Sequence, residues 1–402
     1  MAEPGPAGVD SWRAWLVVVG TVMATSTMFG IVYSFGAFFS AMAAEFNASR
    51  SATAFVFSLT IFFLFVLGAL SGRLADRFGP RPLAWAAAVF IGGGLWATSS
   101  VGSMEAGYLT YGVSVGVGVA CAYVPLVTLV SAWFDKQRTV ALGVASAGIG
   151  LGTVIGAPLA RRLIDSHGWR DTYRIFAMVA FVALVLAGLL AKRAPLAASG
   201  AIVTFKELWS RRTFRLIYLS GTLMGLSLFV PFVFLIRYAE EQGIAKSTAA
   251  TLVSVLGLGS MGGRLVLGAL GAKLGMLRLY QLCFLTMCVS FGIWLIAGGS
   301  FVMLVVFALT LGVSYGGYVA LSPAVAAHLF GVVGLGGTVG LLYTGSGFGA
   351  LVGAPAAGWL IDRTNTYWIT EVIAGLIALG SFGLLVSALR TSEPAEPAAP
   401  RG

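Results

Sequence analysis

From residue 279 to residue 361 the chain contains no Asp, Glu, Lys or Arg. A water-soluble domain carries about 25% charged residues because its surface faces water. A stretch of this length without charge cannot supply such a surface. The rest of the chain repeats the pattern: of 402 residues, 58% are apolar and 10% are charged. These figures exclude a soluble enzyme, a nucleic-acid binder and a disordered chain. They leave an integral membrane protein whose apolar surface faces lipid.

A bilayer-crossing helix needs roughly 20 mainly apolar residues. Twelve such runs can be marked, near 14–40, 51–72, 82–101, 107–132, 139–163, 172–191, 214–237, 248–271, 276–298, 301–327, 335–361 and 368–389. Barrel strands would be about 10 residues long with alternating polarity, and these runs are longer and apolar throughout. The expected fold is all-α and integral to the membrane, with 12 transmembrane helices as two six-helix bundles. The division is a tail 1–13, a first bundle 14–191, a linker 192–213, a second bundle 214–390 and a disordered Pro/Ala/Glu-rich tail 391–402.

The charge pattern sets an orientation. With both termini cytoplasmic, 16 of the 25 basic residues fall in inner segments and 8 in outer ones, leaving Arg264 within a span. That asymmetry is the positive-inside signal. The net charge of +10 therefore points to lipid headgroups and not to nucleic acid. The segment Met1 to Asp10 has no basic residue and is not read as a secretory signal. Cys121, Cys283 and Cys288 all fall inside apolar runs and read as small hydrophobes. No metal-ligand spacing and no cofactor motif is present.

The two halves resemble each other. Leu142 to Asp165 reads LGVASAGIGLGTVIGAPLARRLID, and Val339 to Asp362 reads VGLLYTGSGFGALVGAPAAGWLID, with 11 of 24 positions identical. Gly148, Gly150, Gly152 and Gly156 match Gly345, Gly347, Gly349 and Gly353. Six spans per half give both repeats the same orientation, as in a two-bundle transporter with its site at the midplane. A dinucleotide-binding reading of these glycines lacks the strand it needs. Close helix packing is the expected role.

Gly72-Arg-Leu-Ala-Asp76-Arg77-Phe-Gly79-Pro-Arg81 lies between spans two and three and resembles the loop motif of the major facilitator superfamily. The resemblance implies a cytoplasmic latch of Asp76, Arg77 and Arg81, with Arg138 as a partner, that holds an outward-open state. The stretch Trp133-Phe134-Asp135-Lys136-Gln137-Arg138 through Gly148 is similar to the signature entering span five of the monocarboxylate transporter family. Tyr33 to Phe39 and Tyr123-Val-Pro125 also fit its bacterial members and the related oxalate/formate exchangers.

Arg264 lies in the eighth span, where an arginine costs about 2.5–3.5 kcal/mol on insertion scales. No acid stands in the central part of any span. Either the side chain snorkels to the interface, or a substrate anion supplies the missing charge. A planar guanidinium binds a carboxylate through two parallel hydrogen bonds, and the resemblance implies an essential arginine at this position. Tyr123, Tyr315, Tyr318 and Tyr343 are phenols within apolar helices. Phe29, Tyr33, Phe229 and Phe232 could supply apolar walls. For any one of these, ordinary packing accounts for the residue as well as substrate contact does.

Ser260 is included as a site residue, and it stands where animal monocarboxylate transporters carry an acid. Ala37 or a neighbour stands in place of their lysine. Neither proton-coupling group of those transporters is therefore present. Span eleven lacks the second cation of the oxalate exchangers, so a monoanion suits the site better than a dianion. The expected function is transport of a small monocarboxylate such as lactate, pyruvate or acetate with a proton, by a monomer using rocker-switch alternating access. The alternatives are exchange of one carboxylate for another and efflux of hydrophobic drugs or metabolites. No clustered catalytic groups are visible, and an enzyme is not expected. Arginine outnumbers lysine 20 to 5, which hints at a GC-rich bacterial source and a plasma (inner) membrane location.

Overall fold

The computed structural model describes residues 9–194, 205–331 and 334–390. Among the described residues every long element is helical, and there is no strand. Twelve helices follow in order: α1 (Trp12–Glu45), α2 (Arg50–Phe78), α3 (Pro80–Thr98), α4 (Met104–Trp133), α5 and α6 within Arg138–Leu190, α7 (Arg212–Glu241), α8 (Lys246–Leu274), α9 (Met276–Ala297), α10 (Phe301–Phe330), α11 (Leu335–Thr364) and α12 (Trp368–Arg390). Most of the tail 1–13, the middle of the linker 192–213 and the whole tail 391–402 lie outside the described residues. The linker's far end holds a short helix, Phe205–Ser210.

Ten helical stretches among the described residues are long and apolar enough to cross a membrane. One of them, Val140–Leu190, holds two spans. The break is Gly168, whose φ of 78° is open to glycine and strained for other residues. The sequence placed that turn between residues 163 and 172. The structure narrows it to one glycine because helix continues on either side. The twelfth helix, α3, falls short in apolarity because Pro80, Arg81, Pro82 and the glycines 92–94 dilute it.

Several helices outrun their apolar runs. Both α2 and α8 have 29 residues, about 43 Å at 1.5 Å per residue, against a hydrocarbon core of about 30 Å. Their charged ends therefore project beyond the lipid. Two helices are interrupted at matching places in the halves: α1 at Ser34 and α7 at Phe229. Helix α4 contains a π turn at Tyr108–Val113.

The repeated glycines explain the packing. A methyl group on Gly148, Gly152 or Gly156 would strike α1 at Thr25, Ser26 and Gly30. On Gly345, Gly349 or Gly353 it would strike α7 at Thr222 and Leu226. Thus α5 lies against α1 as α11 lies against α7. The intervening glycines face the other half: Gly150 meets Met261 of α8, and Gly347 meets Phe65 of α2. Contact between the halves therefore runs mainly along two seams, α5 with α8 and α2 with α11, and the outer parts of α1 and α7 also meet.

Candidate functional site

Arg264 is carried by α8, four residues beyond the middle of the helix at Ser260. Its side chain does not snorkel: the residue is 3% exposed. One turn back, the Ser260 hydroxyl accepts a hydrogen bond from Nη1 at 2.7 Å. The ring of Tyr315 lies 5.5 Å from the guanidinium carbon, a cation–π contact of about 0.5–2 kcal/mol. Nε and Nη2 are buried and have no hydrogen-bond partner. No carboxylate reaches Arg264 among the described residues. A buried guanidinium left with two free donor positions is a strong binder for a planar acceptor.

The guanidinium borders a cavity of about 540 Å³, mouth included, between the halves. From the first half come Phe29, Tyr33, Tyr123, Leu64, Phe65 and Ile149; from the second come Phe229, Tyr315, Tyr318, Tyr343, Met224 and Ser346. Eight of the ten sequence-proposed residues thus line one space. The other two support it. Ser260 holds the guanidinium, and Phe232 stacks on Tyr33 at 4.5 Å and packs against Tyr315 at 5.8 Å. Phe29 packs edge-on against Tyr123 at 5.2 Å. A second cavity adjoins, sharing Tyr318 and Tyr343 and continuing past Ser322 and Tyr280. It contains no charged residue.

Sequence reasoning missed Leu64, Phe65, Ile149, Met224 and Ser346. A signal existed for two of them. Ile149 and Ser346 occupy the same position of the internal repeat, and both face the cavity. Phe65 contacts Tyr343 at 5.6 Å and Phe229 at 6.2 Å, but it stands in a helix rich in phenylalanine and nothing local distinguishes it.

The end of the molecule opposite the chain's ends, the far end, is fastened across the halves. Arg50 at the start of α2 donates to Asp362 of α11 at 3.0 Å and to Glu241 of α7 at 2.9 Å. Arg237 of α7 bonds Glu241 at 2.7 Å and Ser40 of α1 at 3.2 Å. Nearer the cavity, the hydroxyls of Tyr33 and Tyr315 share a hydrogen bond of 2.9 Å, and Ser254 of α8 donates to the Val154 carbonyl at 2.6 Å.

The termini end carries no hydrogen bond or ion pair between the halves among the described residues. Asp76 and Arg77 are exposed there and form no ion pair with each other or with Arg138. Arg81 donates to the Gly188 and Leu189 carbonyls at 3.1 Å each. Arg138 donates to the Phe134 carbonyl at 2.9 Å and lies 4.0 Å from Asp135. The proposed latch residues share one end but are not joined in this conformation. Asp10 fastens the start of α1 to the α4–α5 turn. Although desolvation raises its pKa, the backbone N–H groups of Lys136 and Gln137 hold the carboxyl below its ordinary range.

The family model described as Major Facilitator Superfamily matches residues 18–299 and 217–402. Monocarboxylate transporter 4 of Rattus norvegicus is 28% identical over 403 residues, covering 95% of this chain and 84% of that one. Monocarboxylate transporter 11 of Homo sapiens is 30% identical over 412 residues, covering 94% and 84%. Among solved structures, a bacterial homolog of the human lysosomal transporter Spinster superposes with a TM-score of 0.74 at 14% identity, covering 97% of this chain and 100% of that one.

Proposed function

Starting from a chain that belongs to the major facilitator superfamily, we propose that it moves small monocarboxylates of the lactate, pyruvate or acetate kind across a bacterial plasma membrane. One observation carries the reading: a buried guanidinium with Nε and Nη2 unpartnered beside a cavity between the halves. A substrate carboxylate completes it, with one oxygen for each free donor position, and the phenols of Tyr123 and Tyr343 fix its orientation. The likeness to monocarboxylate transporters supports the same class. The apolar walls then take the body of the substrate, with Phe29, Tyr33 and Phe229 on one side and Tyr315 and Tyr318 on the other.

The halves act as two six-helix bundles, 14–191 and 214–390, that rock about the site within a monomer. Both termini face the cytoplasm, as the basic residues suggest, so the far end is the outside. The present conformation is then closed to the outside by Arg50, Asp362 and Glu241, while the latch of Asp76, Arg77, Arg81 and Arg138 is released. A proton accompanies the anion, because Arg264 offers a single positive charge and net uptake otherwise works against the membrane potential.

The test is uptake of labelled lactate by proteoliposomes under an imposed pH gradient. Arg264→Ala should abolish it while the protein remains monodisperse. Undiminished uptake in that variant would sink the proposal. Exchange of one carboxylate for another is a second reading, favoured by the same two free donor positions: a site uncomfortable when empty resists returning empty. Uptake into vesicles that hold no anion distinguishes the two.

A further inference from the structure

One buried acid plays no part in the Arg264 site. Glu371 stands in the first turn of α12 and is 3% exposed. Its Oε1 has no hydrogen-bond partner, and no ion pair reaches it among the described residues. Three further polar atoms at this end of the second half are buried without partners: Trp294 Nε1, Tyr367 OH and Thr370 Oγ1. Such atoms are rare in folded proteins and call for an explanation.

The surroundings are defined on each side. Helix α9 runs antiparallel to α12, and Phe291 packs against Gly375, so Trp294 comes level with Glu371. The outer part of α7 contributes Tyr238, whose ring is 5.7 Å from Trp294 and 5.1 Å from Tyr367. Its hydroxyl donates to the Gly298 carbonyl at 3.2 Å. The titratable group facing Glu371 is therefore one phenol, Tyr238, while the Tyr367 phenol lies toward Glu241, Arg50 and Arg237. The charges at this end on α7 and α2, Glu241, Arg237 and Arg50, are engaged with one another.

A buried carboxylate with no cation beside it is costly, and the neutral acid, which also gains a donor, is the form such surroundings accept. The surroundings are not permanent. Tyr238 and Glu241 belong to the same segment, Val230–Glu241, beyond the break at Phe229. A swing of this segment that parts Glu241 from Arg50 would carry Tyr238 with it and uncover Glu371 to water.

We infer that Glu371 is a proton-binding site linked to the far-end gate: it holds a proton while Arg50 joins Glu241 and Asp362, and gives it to water when the outer part of α7 swings away. Linkage works in both directions. The closed gate binds the proton more tightly, so acid favours the closed gate and alkali the open one. This rests on the alternating-access part of the reading above and not on the identity of the substrate.

The experiment uses the full chain in nanodiscs with no carboxylate present. Ser40 accepts a hydrogen bond from Arg237 across the closed gate, so Ser40→Cys reports opening through reaction with a maleimide. Labelling is compared between pH 5.5 and pH 8.5 and normalised to the exposed Gln242→Cys; reaction of the chain's own cysteines is subtracted. Normalised labelling should rise several-fold with pH. With Glu371→Gln added, it should stay at the low acid level at both values, whereas Glu371→Asp should keep the rise. An unchanged rise in Glu371→Gln, or no rise in the parent, overturns the inference. Lactate uptake by the same proteins reports separately: lost uptake with an intact pH response removes the monocarboxylate reading alone.

Discussion

Tyr33 of α1 and Tyr315 of α10 share a hydrogen bond of 2.9 Å that crosses from one half of the molecule to the other. The Tyr315 ring also lies 5.5 Å from the Arg264 guanidinium. One tyrosine thus touches both the candidate anion site and the closed seam above it. Ligand entering at Arg264 meets the residue that holds the halves together.

Removing that bond should loosen the far end. A net hydrogen bond is worth about 0.5–1.5 kcal/mol, or about 2- to 12-fold in an equilibrium. Tyr33→Phe should raise maleimide labelling of Ser40→Cys by that factor at fixed pH. Tyr315→Phe should do the same, and the double variant should add little, because both singles remove one shared interaction. Additive effects would mean that the two hydroxyls act separately.

Arg50 makes the stronger fastening. It is 24% exposed, and its partners Glu241 and Asp362 are 33% and 28% exposed. These pairs lie between a surface bridge of about 0–1 kcal/mol and a buried one. Arg50→Gln removes both and leaves two acids facing each other. Labelling at Ser40→Cys should rise about 10-fold or more, on the order of 1.5–3 kcal/mol for hydrogen bonds to charged groups. Raising salt should open the native protein in the same direction and leave Arg50→Gln nearly unmoved. A native protein whose labelling ignores salt would show that Arg50 does not govern this end.

The fold was legible because lipid permits few solutions: apolar runs of spanning length must be helices, and the repeat fixes their grouping. Arg264 stood out through scarcity, as the lone basic residue within a span. The break at Phe229 had a signal that went unread, Pro231 at the start of the next segment, whereas Ser34 is neither a glycine nor a proline and gave none. Arg50, Asp362 and Glu241 read only as charges at span ends, because what joins them is proximity across the seam. Glu371 had the same fate. Its burial comes from Trp294 and Tyr238, both far from it in sequence.

Ser260 supplies the only hydrogen bond to the Arg264 guanidinium among the described residues. Replacing it by Ala leaves a third buried donor position unsatisfied, at a cost of about 1–3 kcal/mol. Ser260→Ala should therefore lower the thermal midpoint of the empty protein. Saturating lactate should recover more of that loss than it adds to the native chain, since the carboxylate then satisfies what serine did. Equal shifts in both proteins would place the anion elsewhere.

The two kinds of glycine make opposite predictions. A methyl group on Gly353 overlaps the Leu226 carbonyl of α7, within one half and against backbone. Nothing there moves during rocking, so Gly353→Ala should destabilise the folded protein by about 1–3 kcal/mol. A methyl group on Gly150 instead comes within 2.7 Å of the Met261 Cβ, across the α5–α8 seam. That contact can part by a small rotation of the halves. Gly150→Ala should leave the thermal midpoint closer to native than Gly353→Ala does, and change the rate of lactate counterflow more. The reverse ranking would mean that the α5–α8 seam is a fixed core and that the halves move about another line.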